Sequence, residues 1–330
     1  MSAQELAGRA PRPWRRRLRR AGLALLVLLV VLTTASGGYN LLTGDPAAPP
    51  AGLTFVQAGD VLTRYVSWGT SGSPVVLVHG AAESADTWSD LAGRLAARHR
   101  VFALDLDGWG YSRRVAPFDL DHQTRQLLAL IAALHLQRPV LVGHSSGAAV
   151  VAEAALREPG SVGGLMFLDG DALNTGAGEQ SPARFLLLPP YRTTVLRLGV
   201  RSDALIRSVY ARACGPRCPA LDEAGAERWR RPFRVAGAES AVWDMVSLGV
   251  PGLPVVTLQQ LRSAPFPRSV VYGAQDPVFD AGSAQRTADT IGAGRAELIP
   301  QARHLTMISD PGPVAAAIET LAARAVPAVG

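Results

Sequence analysis

LVGHSSGAAV, Leu141 to Val150, passes from apolar to sharply turned to small and apolar again within ten residues. The approach, PVLVG, reads as a buried strand, HSSG as a turn, and AAVVAEAAL as a helix that starts at once. Gly143, Ser145 and Gly147 satisfy G-x-S-x-G, the arrangement in which a serine occupies a strained strand-to-helix turn with its hydroxyl clear of the backbone. A side chain at either glycine would collide with the close strand-to-helix approach, and Ala148 and Ala149 serve the same packing. The backbone N–H of Ser146, in the first helical turn, has no intrahelical partner and can face an oxyanion. A five-residue pattern is also compatible with an ordinary structural turn, so the rest of the chain decides.

Outward from that stretch, strands and helices alternate, the pattern of a mainly parallel sheet covered by helices. Eight strands are predicted: LTFVQAG and VLTRYVSWG as an opening hairpin, then PVVLVHG, RVFALDLDG, RPVLVGHS, GGLMFLDG, RSVVYGAQD and AELIPQARH. Helical patterns occupy 87–97, 121–136 with Asp121 as N-cap, 146–157 and about 311–325. The alternation breaks between Asp171 and Arg262, with PVVTLQQL as the one candidate strand there. About 90 residues are too many for a connecting loop and predict a helical lid. The expected organisation is an arginine-rich tail over 1–20, an apolar span over 21–42 and a Pro/Ala/Gly linker over 43–52. A core over 53–170 and 263–330 follows, interrupted by the cap over 171–262.

Other strand ends carry chemistry of their own. LVHGAAESADTW ends a strand at His79-Gly80 and places the N–H of Ala81 as a second oxyanion donor. VVYGAQDPV exposes Asp276 before a proline, and LIPQARHLTM ends the last strand with His304, so the order is Ser, Asp, His. This assembly resembles the alpha/beta-hydrolase fold family over about residues 53–325. The resemblance implies Ser145 as nucleophile, His304 as base and then acid, Asp276 as the group orienting the imidazole, and an oxyanion hole from the N–H groups of Ala81 and Ser146. A serine hydroxyl needs such a base, about 3 Å away, to become nucleophilic near neutral pH. Asp107 stands where relatives often carry proline, which touches nothing catalytic, and Ala81-Ala82, where many relatives carry another glycine or a bulky residue, leaves the shape of the acyl side of the pocket undetermined. Asp169 in FLDGD is the alternative acid, because some relatives carry theirs after that strand.

The remaining candidates are weaker. His144, at the elbow, points away from Ser145 if the strand alternation persists and is expected to be packed; His79 is expected to support the oxyanion loop. His99, His122 and His135 lie on helices or their ends and are expected to be solvated or satisfied locally. Trp88 and Trp109 are candidate pocket residues, while Trp229, Phe233, Trp243 and Met245 read as lid core before ligand contacts. ERWRRPFR, 227–234, reads as a solvated basic face. Cys214 and Cys218, the chain's two cysteines, can close a small disulfide loop through Gly215 and Pro216; two free thiols are the alternative, and no nearby histidine completes a metal site. Phosphate-loop, dinucleotide, paired-carboxylate and HExxH signatures are absent from the sequence, so no cofactor or metal is expected.

The net charge of +6 is local: residues 1–20 hold seven arginines against Glu5, and 26 residues of each sign remain elsewhere. A nucleic-acid surface on the folded part is therefore unsupported. AGLALLVLLVVLTTASGGYNLL, 21–42, is uncharged and long enough to cross a bilayer, which takes about 20 residues. A retained anchor is the favoured reading and a cleaved signal peptide the rival; both leave the amino terminus cytoplasmic and residues 43–330 outside. The expectation is thus a membrane-anchored serine hydrolase acting on an ester, less favourably an amide or thioester, of a small or lipid-like acyl substrate. Carbon–carbon bond hydrolysis or perhydrolase chemistry on the same triad is the alternative, and a silent binding protein on a hydrolase scaffold the rival of another class.

Overall fold

The computed structural model describes residues 13–174 and 188–325; residues 1–12 of the arginine-rich tail, 175–187 of the insertion and 326–330 lie outside the described residues. The described residues group into two units, one of 13–45 with 188–198 and the other of 46–174 with 199–325.

The larger unit is built on one eight-stranded sheet in the order β1-β2-β4-β3-β5-β6-β7-β8. The strands are β1 (Thr54–Ala58), β2 (Val61–Trp68), β3 (Ser73–Val78), β4 (His99–Leu104), β5 (Val140–His144), β6 (Gly164–Leu168), β7 (Arg268–Gly273) and β8 (Glu297–Ile299). β1 and β2 form the antiparallel opening hairpin, β2 joins β4 antiparallel, and every later pairing is parallel. Because strand side chains alternate, the central strands feed two cores. Val76, Val78 and Leu141 enter one core, and Val75, Leu77, Val140 and Val142 the other. The first core is closed by α3 (Leu120–Ala133), α4 (Gly147–Arg157) and, further on, α10 (Ala281–Ile291); the second by α2 (Ser89–Leu95) and α12 (Pro311–Arg324).

Two local expectations change. The N-cap of α3 is Asp119, whose carboxylate accepts from the N–H of His122 at 2.8 Å; Asp121 is one residue inside the helix and pairs with Arg125 and Arg157 instead. PVVTLQQL is a helical turn, α9 (Val255–Leu258), continued as 3-10 helix to Ser263, because Pro254 fixes the backbone entering a first helical turn.

The insertion between β6 and β7 is helical where described: α5 (Tyr191–Arg201), α6 (Asp203–Cys214), α7 (Glu223–Arg230), α8 (Ala238–Leu248) and α9. Cys214 and Cys218 are joined as a disulfide just past α6, with their Cα atoms 5.8 Å apart. The basic run 227–234 gathers on its own acid, since Arg230, Arg231 and Arg234 all pair with Glu227. In the smaller unit, α1 (Pro13–Leu42) contains a stretch, Arg16–Leu42, long and apolar enough to cross a membrane, with its leucines and valines about half exposed.

Candidate active site

In a parallel sheet the carboxyl ends of the strands share one edge, and ligands bind there. β5 delivers Ser145 one residue past its end, β7 delivers Asp276 three residues past Gly273, and β8 delivers His304 five residues past Ile299. Ser145 takes a left-handed φ of 50° and its N–H is held by the carbonyl of Leu168 at 3.0 Å. That strained turn is possible because α4 and β3 come very close. A Cβ on Gly143 would lie 2.5 Å from the Gly147 carbonyl oxygen, and one on Gly147 would lie 2.6 Å from those of Val78 and His79.

The three side chains meet in line. Ser145 Oγ lies 3.1 Å from His304 Nε2, and His304 Nδ1 lies 2.8 Å from Asp276 Oδ2. The other carboxylate oxygen, Oδ1, accepts from the N–H groups of Val278 at 2.6 Å and Phe279 at 3.2 Å, and the Asp276 side chain is fully buried. A carboxylate accepts only, so Nδ1 of His304 carries the proton and Nε2 is the lone-pair nitrogen turned to the serine. Asp169, the alternative acid, is occupied elsewhere: it accepts from the Gly273 N–H at 2.7 Å and bonds the Thr306 hydroxyl at 2.5 Å. Burial pushes its carboxyl up to about 7, against the pull of His144 and the Thr306 bond.

The candidate oxyanion loop is held by His79. The Leu106 N–H donates to His79 Nε2 at 3.0 Å, so the ring proton sits on Nδ1, which donates to the Gly80 carbonyl at 2.7 Å. Burial pulls His79 down and keeps it neutral. Gly80 C=O and Ala81 N–H belong to one rigid peptide plane and point in opposite directions, so fixing the carbonyl fixes the N–H. Ser146 is the N-cap residue of α4, where an N–H has no intrahelical use.

Behind the site lies a pair that sequence reading missed. His144 is completely buried, its Nδ1 stands 2.9 Å from Glu83 Oε1, and its Nε2 donates to the backbone carbonyl of His304 at 2.8 Å. Burial alone would lower His144, but the Glu83 carboxylate outweighs it and pushes the imidazole up to about 9. Glu83 in turn is held below the ordinary carboxylate range, because His144 overcomes the cost of burial. The Nδ1 hydrogen lies off the line to Oε1, so charge attraction dominates this contact. One ion pair therefore ties the oxyanion loop, the elbow and the His304 loop together. The signal in the sequence was a lone acid among small residues, AAES.

Other candidates separate. Trp88 is fully buried in the second core and packs edge-on to His144, because the 3-10 turn Ala85–Trp88 directs its ring inward. Trp109 is partly buried, stacks edge-on with Phe233 and packs beside Met245. Trp229 packs against Tyr210, and both line a cavity of about 560 Å³ together with Leu221, the loop residues Ala82 and Glu83, and Asp90 of α2. The cavity thus reaches the residue after Ala81, while Ser145 and His304 do not line it. His122 is buried between Asp60 at 3.0 Å and Asp107 at 3.0 Å, partners distant in sequence, which corrects the expectation of local solvation. His99 is also buried, bonded to Ser73 at 2.9 Å, and His135 is exposed. No group of three or more metal-ligating side chains occurs among the described residues.

The chain is similar to the pimeloyl-[acyl-carrier protein] methyl ester esterase of Edwardsiella ictaluri (strain 93-146), 28% identical over 266 residues, 76% of this chain and 95% of that protein. It is equally 28% identical, over 275 residues, to the 2-hydroxy-6-oxo-6-(2'-aminophenyl)hexa-2,4-dienoic acid hydrolase of Metapseudomonas resinovorans, covering 78% of this chain and 86% of that one. Among solved structures, a bacterial membrane phospholipase A superposes with a TM-score of 0.65 at 21% identity, over 93% of this chain and 97% of that one, a likeness of fold. The model of the Alpha/beta hydrolase family matches residues 75–317, a span that runs from the oxyanion-loop strand through the serine elbow to Asp276 and His304. With that match over most of its length and the shared sheet beneath it, this chain belongs to the alpha/beta hydrolase family of enzymes.

Proposed function

We propose that the protein is a membrane-anchored serine hydrolase that cleaves an ester through an acyl-enzyme intermediate. The observation that carries this reading is the relay from Asp276 through His304 to Ser145, with contacts of 2.8 and 3.1 Å. His304 Nε2 takes the hydroxyl proton as Ser145 Oγ attacks the ester carbonyl, and Asp276 holds the imidazolium that forms. The oxyanion draws on the N–H groups of Ala81 and Ser146. Collapse breaks the carbon–oxygen bond of the leaving alcohol, which receives the proton from His304 Nε2. Water, deprotonated by the same nitrogen, then releases the acid and regenerates the serine. The apolar helix α1, behind its arginines, is the anchor in this reading.

Fluorophosphonate labelling of fractionated cells tests it. The expected result is a labelled band in the membrane pellet that resists alkaline extraction and vanishes in Ser145→Ala. Labelling that survives that change refutes the nucleophile, and a band confined to the soluble fraction refutes the anchor. The relative that hydrolyses a hexadienoic acid motivates a second reading, carbon–carbon bond cleavage. Turnover of vinylogous diketone acids faster than that of any acyl ester in a panel would establish it.

A further inference from the structure

The second half of α1 carries Thr33, Ser36 and Asn40 on one helical face, three and four residues apart. That face is buried at Ser36 and half-buried at Asn40, while Thr33 stays exposed but is partnered. Thr33 bonds the hydroxyl of Tyr191, Ser36 bonds Thr194 at 2.5 Å, Thr194 donates to Asn40 Oδ1 at 2.9 Å, and Asn40 Nδ2 donates to the Pro190 carbonyl at 2.9 Å. Arg197 completes the seam by donating to the Asn40 carbonyl at 2.6 Å and to the Thr43 hydroxyl at 3.2 Å, which satisfies the negative end of α1. Ser36 is 6% exposed, in a helix whose leucines and valines are about half exposed.

The segment on the other side of the seam shows the same inversion. Leu188 is 62% exposed, Val195 50% and Leu198 54%. Leu198 follows Thr194 by four residues and Val195 follows Tyr191 by four, so both stand beside the seam, next to the apolar flanks of α1. Polar groups turned inward and apolar ones outward is the reverse of what water selects. It is what hydrocarbon selects, where buried hydroxyls and amides join helices and leucine faces lipid. Depth agrees: a hydrocarbon layer of about 30 Å beginning after Arg20 ends about 20 residues on, and the seam from Thr33 to Asn40 is its last third, about 10 Å.

Building on the anchored-hydrolase reading above, we propose that Leu188 and the first turns of α5 are immersed beside α1 in the outer leaflet, and that the ester this enzyme takes is an acyl ester of a membrane lipid. The occupant of the exposed Leu188, Val195 and Leu198 face is then lipid acyl chain.

Fluorescence quenching tests the immersion without relying on catalysis. The only two cysteines are paired, so V195C and L198C, made in the full chain and labelled with bimane, report single positions. In phosphatidylcholine vesicles, nitroxide-bearing acyl chains are expected to quench both labels several-fold more than aqueous iodide. T320C, exposed on α12, should show the reverse. Floating vesicles with iodide-quenched labels at 195 and 198 overturn immersion while leaving the anchor intact; protein that does not float overturns both. Disulfide cross-linking between copies at 198, without lipid quenching, overturns the lipid in favour of a second chain. For the substrate, V195D/L198D should lose tenfold or more on vesicle phospholipid while staying within twofold on a soluble p-nitrophenyl ester. Equal losses on both, or no loss on either, overturn the lipid ester.

Discussion

Two histidine–carboxylate pairs lie back to back in this molecule, their imidazole centroids 4.8 Å apart, and they have opposite uses. Asp276 and His304 face the edge of the sheet, and the second imidazole nitrogen is left for Ser145. Glu83 and His144 are buried behind them, and the second nitrogen of His144 is spent on a carbonyl, that of His304 itself. Both pairs set an imidazole against a carboxylate, so the partner of the second nitrogen separates the base proposed for His304 from the brace at His144. A proton acceptor needs a lone pair and a moving proton; a brace needs both nitrogens protonated and no exit.

The comparison breaks most sharply at the exposed pair. Ser145→Ala and His304→Ala should each cut kcat/KM on an acyl ester by about 10⁶, since members of such a unit fail together. Asp276→Asn should cost about 10⁴ in kcat by misorienting the ring, measured at saturating substrate. At the sealed pair the loss moves from turnover to folding. His144→Gln strands the Glu83 charge and should destabilise the protein by about 3–5 kcal/mol in urea titration, with the folded fraction still labelled by fluorophosphonate. The double change E83Q/H144Q should recover much of that loss, because two neutral amides replace two charges.

pH distinguishes the pairs next. His144 is raised from 6.5 to about 9, so its contribution to stability is full below 6.5 and is lost as pH rises through about 9. Glu83 is lowered, so its share is present above 4.5 and is lost as acid overtakes its depressed value. The urea midpoint should therefore fall between pH 7 and about 9.5 in the native chain and stay flatter in E83Q/H144Q. The smallest effect belongs to Asp169→Asn, under about 1 kcal/mol at pH 7. Its carboxyl sits near half-protonation there, and an amide can serve both Gly273 and Thr306. A turnover loss larger than that of Asp276→Asn would exchange the two aspartates.

The contrast also marks what the sequence made legible. All eight strands and the elbow were readable, because strand alternation and the glycines on either side of Ser145 are local patterns. The candidate triad was readable because each member follows a strand end. The brace was not, since Glu83 and His144 are 61 residues apart and Glu83 belongs to no periodic pattern. Trp88 misled for a related reason: an aromatic after a strand faces pocket or core according to the turn between, and the 3-10 turn at Ala85 faced it inward. In the insertion, prolines hid where helices begin, and nothing local in α1 pointed to the partner of Ser36 and Asn40, Thr194 on α5, more than 150 residues away.

The separation of Ser145, Asp276 and His304 along the chain has a consequence for biosynthesis. His304 follows Ser145 by 159 residues, and among the described residues no nearer side chain is bonded to the hydroxyl. A growing chain thus carries a serine that is chemically inert until β7 and the three-residue β8 have joined the edge of the sheet. On the mechanism proposed above, a break anywhere before residue 304 leaves the serine present and unarmed, so fluorophosphonate labelling counts finished, folded molecules.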